Sequence, residues 1–289
     1  MLGIKEFNKK IGSLKNTRKM TKTMKMVSAA KFKRAHHAQL NALVYAKKLQ
    51  ELMSRVSSSG SGGHPLMAPK KQVKNVLVVV FTSDKGLCGG FNNNLIRKTR
   101  LWLEERSKAG EKITLSFCGR RGHMAFRRSQ EIGTYYENIT LKPNFADALK
   151  VANDVSQAFM DGKCDEVYLC FNRFDGPITQ VPVIEKLLPL QAETLGAKDV
   201  KPVVADYIYE PETEEMFQFL VPKFLNFKIF FTLLENAAGE HGARMSAMDK
   251  ASSNTADLID KYTLLRNRAR QASITKELIE IISGAEALK

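Results

Sequence analysis

Apolar residues recur at steps of three and four over both ends of the chain and form short continuous runs over its middle. From Phe224 the steps pass through Phe227, Phe231, Leu234, Ala238, His241, Met245, Met248, Ser252, Thr255, Ile259 and Tyr262. That is a heptad-type seam, the pattern that lets two helices wind round each other. It starts bulky and aromatic, thins to small and polar side chains, and dissolves into Arg266, Arg268 and Arg270. The pattern predicts one helix from about Glu212 to Leu288, which would reach about 110 Å at the standard rise per residue. Such a helix cannot fold inside a compact core, so it should protrude. Pro222, early in it, predicts a kink or a fresh start.

The first 56 residues predict a second long helix, with no proline and with glycine only at Gly3 and Gly12. Ile4, Phe7, Ile11 and Leu14 set a register, Met20, Met24 and Val27 carry the stripe on in a shifted phase, and Ala35, Ala42, Leu49, Met53 and Val56 resume the first one. A slipping stripe predicts a coiled coil that is locally unwound. SSSGSGGHPLMAPKK, residues 57 to 71, reads as a flexible boundary.

Beyond it the period changes. Val76–Thr82 is a continuous β-branched run, the mark of a strand buried on both faces. A Gly-rich turn, SDKGLCGGFNNN, leads to a helix from about Asn94 to Lys108. Strands follow at Ile113–Phe117, Glu166–Phe174 and Gln180–Leu190, with helices at Arg120–Arg128 and Phe145–Met160. Strands alternating with helices predict a mostly parallel sheet covered by helices. The division expected is a helix over 1–57, an α/β domain over 73–205 and a helix over 210–288. Rooted in one domain, the two helices must run antiparallel if they pair. The second is longer by about 20 residues, so its tip should extend about 30 Å alone.

Charge sharpens this. The net charge is +15, which implies nucleic acid, anionic lipid or an acidic protein surface as partner. From Lys5 to Arg34 there are eleven Lys or Arg against Glu6 alone. Clustered like charges weaken a helix unless something offsets them, which points to an acidic partner over a merely solvated face. Nucleic acid is disfavoured, because the chain has no recognised binding motif and no aromatics interleaved with the basic run. No apolar run approaches the length of a membrane span, and MLGIKEFNKK enters a helix with no signal-peptide core. Cys88, Cys118, Cys164 and Cys170 lack metal-ligand spacing and read as reduced thiols.

Candidate chemistry is thin. GLCGG at 86–90 follows a strand but fits neither GxGxxG nor GxxxxGK[ST], so a tight backbone turn is the better account than a phosphate cradle. The five histidines form no HExxH or triad spacing, and Asp84 and Lys85 have no second carboxylate or base beside them. No catalytic, cofactor or metal residue is expected. The tip, with Ile274, Leu278, Ile281 and Ile282 along one side, asks for a socket in another protein.

Five blocks carry a resemblance: KNTRKMTKTMKMVSAAKFKRA, SDKGLCGGFN, YIYEPE, EHGARMSAMDKASSN and RARQASITKELIEIISGA. The chain resembles the gamma subunits of F-type ATP synthases from end to end. The resemblance implies an α/β fold class, a long antiparallel coiled coil of N- and C-terminal helices with an inserted Rossmann-like α/β domain. It implies a non-catalytic rotor stalk that transmits rotation of a proton-driven c-ring to three catalytic beta subunits, with alpha, beta and epsilon subunits as partners. Membrane contact would be through the c-ring alone. Carried across by matching blocks, Arg244, Arg270, Gln271, Thr275 and Glu277 would meet the beta subunits, Met24 and Lys25 an acidic beta loop, and Tyr207 and Glu210 the c-ring. Chloroplast members carry an extra segment with a redox-switched cysteine pair. Here QAETLGAKDVKPVVAD joins Leu190 to Tyr207 without cysteine, so no thiol regulation is expected. A chain that opens directly on its helix favours a bacterial protein at the cytoplasmic face of the cell membrane. The rival reading is a static coiled-coil adaptor with an inactive α/β domain.

Overall fold

The computed structural model describes residues 3–59, 64–70, 72–190 and 213–287. Its elements are α1 (Ile4–Ser59), β1 (Asn75–Phe81), α2 (Phe91–Lys108), β2 (Lys112–Cys118), α3 (Arg120–Phe126), β3 (Glu131–Tyr136), α4 (Phe145–Met160), β4 (Glu166–Phe174), β5 (Gln180–Leu188) and α5 (Thr213–Ala287). Two compact units emerge, one from Ala29–Arg244 and one from Met1–Ser28 with Met245–Lys289.

The larger unit is built on a five-stranded sheet of order β3-β2-β1-β4-β5. β1, β2, β3 and β4 pair in parallel, and β5 returns antiparallel along β4. Alternation along the central strands divides the core. Leu77, Val79 and Phe81 of β1 face α4 together with Leu49, Met53 and Val56 of α1 and Phe217, Val221 and Leu225 of α5. Val76, Val78 and Val80 face the other way, onto Leu95 and Leu103 of α2 and Phe126 of α3. Strands buried on both faces need apolar residues throughout, which is why the Val76–Phe81 run lacks the period-two pattern.

Four expectations need correcting. β3 was not foreseen: EIGTYY is an edge strand with Tyr136 alone buried, and it has too few apolar residues to stand out. α5 makes no fresh start at Pro222 but continues through it, because buried Phe217, Val221 and Leu225 around it hold the helix where one backbone bond is lost. Part of α5 does have the length and apolarity of a membrane span, but nearly half of that stretch is buried in the protein, as in a core helix.

The fourth concerns the stripe on α1, which does not slip. Continuing the three-four step from Ile4 puts Thr21, Ser28 and Gln39 on the seam, and all three are buried, whereas Met20 is 63% and Val27 51% exposed. Small hydroxyls fit where a neighbouring helix comes close, and Thr21 keeps its own hydroxyl satisfied by donating to the Arg18 carbonyl at 3.1 Å. The register is thus set by size as much as by apolarity.

The smaller unit is an antiparallel helix pair. Phe7 lies against Tyr262 with the rings tilted, Asn8 lies 3.5 Å from Arg266, and Lys25 meets Asp249 at 2.6 Å, so the start of α1 meets the later part of α5 and the two helices run antiparallel. Phe7, Ile11, Thr21 and Ser28 line one side of the seam and Met248 and Thr255 the other.

Candidate functional site

The helix pair presents an uneven surface. α1 carries Lys5, Lys9, Lys10, Lys15, Arg18, Lys19, Lys22 and Lys25 in this unit. Among the described residues Lys25 alone of these eight has a salt bridge, to Asp249, with both side chains partly open to solvent. Such a pair is worth about 0–1 kcal/mol. A groove of about 540 Å³ runs between Lys15, Arg18, Lys19, Lys22 and Lys25 on one side and Ser252 and Ile259 on the other. Beside this cationic band Met20, Met26 and Val27 stand exposed. Cations beside uncovered apolar side chains suit an acidic protein surface that also offers some apolar cover.

Met24 and Lys25 lie half-buried on this pair. Arg270, Gln271, Thr275 and Glu277 are all exposed near the end of α5, where Ile274, Leu278, Ile279, Ile281 and Ile282 are also uncovered. Five uncovered large aliphatics so close together exceed what a free surface ordinarily shows. Tyr207 and Glu210 lie outside the described residues.

Arg244 is placed differently from the other residues of its group. It is 8% exposed, inside the larger unit. Its Nη2 donates to Glu240 Oε1 at 2.6 Å, and its Nε and Nη2 donate to the Gly86 carbonyl at 3.2 Å. A further bond reaches the Lys85 carbonyl at 3.3 Å, and Nη1 lies 3.2 Å from His241 Nδ1. Burial raises the Glu240 carboxyl above its usual range against the pull of Arg244. Burial and the neighbouring Arg244 and Lys31 charges hold His241 down to about 4, so its ring is neutral at physiological pH.

The loop that receives Arg244 is the GLCGG turn. Its backbone is tight, with Leu87 at φ 64° and Gly89 at φ 58°. Asp84 is structural: it accepts from the Arg120 amide at 2.9 Å and the Thr140 hydroxyl at 2.6 Å. Asn92 ties the loop to α2 by accepting from the Ser83 amide and donating to the Ser83 hydroxyl. In open α/β sheets ligands bind outside the carboxyl ends of the strands, where the strand order reverses. That point lies between β1 and β4, and α5 fills it. Asn236 donates to the Thr82 carbonyl at 3.3 Å, and a side chain at Gly239 would come within 2.9 Å of the Phe91 ring. Among the described residues no cluster of three or more His, Cys, Asp or Glu is placed to hold a metal.

These features define a class: a protein of two long terminal helices that pair with each other and brace an inserted α/β sheet, with its own helix in the crevice where such sheets take ligands. Comparison with known proteins makes the class specific. The ATP synthase family profile matches residues 3–288. The chain is 42% identical over 289 residues to the ATP synthase gamma chain of Geobacter metallireducens, and 41% identical over 290 residues to that of Trichlorobacter lovleyi, each covering all of both chains. Among solved structures it is similar to a chain of the central stalk and c-ring of the Tetrahymena thermophila mitochondrial ATP synthase. That match has a TM-score of 0.58 and 29% identity over 81% of this chain and 99% of the other. A chain of the Euglena gracilis mitochondrial enzyme shares the fold at a TM-score of 0.66 and 20% identity, over 99% and 94%. The chain belongs to the ATP synthase gamma chain family. It is a non-catalytic subunit that forms the central stalk, and its complex is membrane-associated.

Proposed function

We propose that the helix pair is the shaft by which rotation of an ion-driven c-ring reaches three catalytic beta subunits, in synthesis and, reversed, in ATP-driven pumping. The observations that support this best are the uncovered apolar end of α5 and, further along the pair, a cationic band whose described members have little to pair with in their own chain. A turning shaft needs contacts that form and break cheaply, and exposed ion pairs suit that requirement. On this reading Met24 and Lys25 face an acidic beta loop, and exposed Met20, Met26 and Val27 extend that contact. Arg270, Gln271, Thr275 and Glu277 meet the beta subunits near the tip, while Tyr207 and Glu210 face the c-ring. Arg244, which the family blocks group with the beta contacts, has its guanidinium committed within the chain and reaches beta only if those bonds open.

Alpha and epsilon subunits complete the set of partners, with no nucleic acid and no membrane contact except through the c-ring. The complex sits at the cytoplasmic face of a bacterial membrane. We propose the functional division 1–57, 73–205 and 210–288, shaft, ring-side domain and shaft.

Truncation after Leu265, followed by reconstitution with alpha, beta and epsilon, tests the reading. The tip is solvated, so the larger unit should keep its wild-type melting temperature while the torque or rotation rate of the complex falls. Unchanged rotation and coupling would leave a static adaptor as the better account.

A further inference from the structure

The rotor reading requires that a turn of the α/β unit be passed into α5 without slip, and the structure contains a device suited to that. From Thr232 through Arg244, α5 is buried nearly all round, with His241 alone half-exposed. One side is gripped by the 83–90 loop, the other by the turn between β4 and β5. At Gly242 a side chain would lie 3.0 Å from the Pro177 carbonyl oxygen and 3.5 Å from the Phe32 ring. Gly239 and Gly242 therefore let backbone and rings close on the helix from two directions. The Glu240–Arg244 pair closes the third contact, onto the Lys85 and Gly86 carbonyls.

We infer that the 83–90 loop and the 176–180 turn form a collar that locks α5 against rotation about its own axis within the α/β unit, and that Glu240 and Arg244 are the positioning residues that hold it shut. Resting on the rotor reading for its purpose, this assigns Arg244 a task inside the chain. A buried ion pair is weak evidence for stability, because well-packed apolar residues often serve as well; it is better suited to fixing one register. Here it fixes a rotational one. Turning the helix by one residue, about 100°, would carry the Glu240–Arg244 pair away from both carbonyls and break the bonds by which Arg244 ties the helix to the loop. The loop cannot follow, because Asp84 and Asn92 pin it to α3 and α2.

Two measurements test the collar. In the isolated full-length chain, amide hydrogen exchange is compared between wild type, Glu240→Gln and the Glu240→Gln/Arg244→Gln double variant. The double variant should speed exchange of the 83–90 and 236–244 amides about tenfold or more, since a latch bond to a charged group is lost, while β1 and β4 exchange as in wild type. Glu240→Gln, which keeps the carbonyl bonds, should fall between. Unchanged protection around the loop, or loss spread evenly over the sheet, overturns the collar.

In the assembled complex, a probe on the α/β unit reports angular spread while the catalytic subunits are held. The double variant should widen the spread. Adding Ala243→Cys, whose side chain packs beside Cys88, and closing the two thiols to a disulfide with diamide should return it to the wild-type width. A spread that never widens, or that covalent closure does not narrow, refutes the positioning role. A wild-type probe that does not turn on ATP refutes the rotor reading instead, with the exchange result still deciding the collar.

Discussion

Replacing Glu235 by glutamine should stabilise the larger unit at pH 8 and leave it unchanged at pH 4. Glu235 lies on α5 at 8% exposure and faces the α/β sheet. Two cations stand near it, but Lys228 binds Glu185 at 2.8 Å and Arg173 binds Asp175 at 3.0 Å. Burial therefore dominates and lifts the carboxyl from 4.5 to about 7, with Glu185 adding to the rise and Lys228, the Phe174 amide and Arg173 opposing it. A carboxyl raised in the folded state contributes stability that is complete below about pH 4.5 and lost as pH climbs through about 7. At about 1.4 kcal/mol for each pH unit between the two values, ionisation costs the fold about 3 kcal/mol by pH 8. Glutamine imitates the protonated acid and still accepts from the Phe174 amide. Glu235→Gln should thus gain about 3 kcal/mol at pH 8, or about 6–12 °C in melting temperature for a unit of this size. Urea unfolding followed by fluorescence of Trp102, the single tryptophan and a residue of this unit, reads the change directly. A gain that is the same at both pH values would show that ionisation of Glu235 is not its source, and a loss at pH 8 would show that attraction to Lys228 outweighs desolvation; either result would refute the reasoning.

Three further outcomes are expected. His241, held at about 4 against an ordinary 6.5, takes up its proton in the unfolded chain first, so stability should fall from pH 6.5 toward 4, by up to about 3 kcal/mol; His241→Gln should flatten that limb of the pH–melting curve. Lys25→Glu faces Asp249 with a like charge, yet because both sites are solvated the melting temperature should move by no more than the effect of about 1 kcal/mol. Its effect should appear in the ratio of pumping to hydrolysis, and an unchanged ratio would remove Lys25 from the torque path. The four cysteines are buried, with burial pushing Cys164 up to about 11 and Cys170 to about 12. Alkylation at pH 8, followed by mass spectrometry, should be slow until the chain unfolds, and a reductant should not alter the ATPase of the complex.

Much of this protein could be read along the chain. The Val76–Phe81 run declared a strand covered on both faces, the three-four steps declared two terminal helices, and the family blocks declared what those helices belong to. These signals are local: a few neighbouring side chains suffice to carry each. The aliphatics at the end of α5 were legible for the same reason, since no stretch of the chain offered them cover.

Tertiary structure decided the rest. Thr21, Ser28 and Gln39 sit on a seam that hydropathy alone assigned to Met20 and Val27, because space beside the facing helix selects for size. β3 is an edge strand with little to bury, so it leaves almost no trace in the composition. Arg244 looked like one more outward cation of the helix, yet the carbonyl that turns it inward belongs to Gly86, 158 residues earlier. No periodicity reaches that far. Which side of a helix meets water depends on what the fold brings to it, and for this helix that is a loop from the opposite end of the sheet domain.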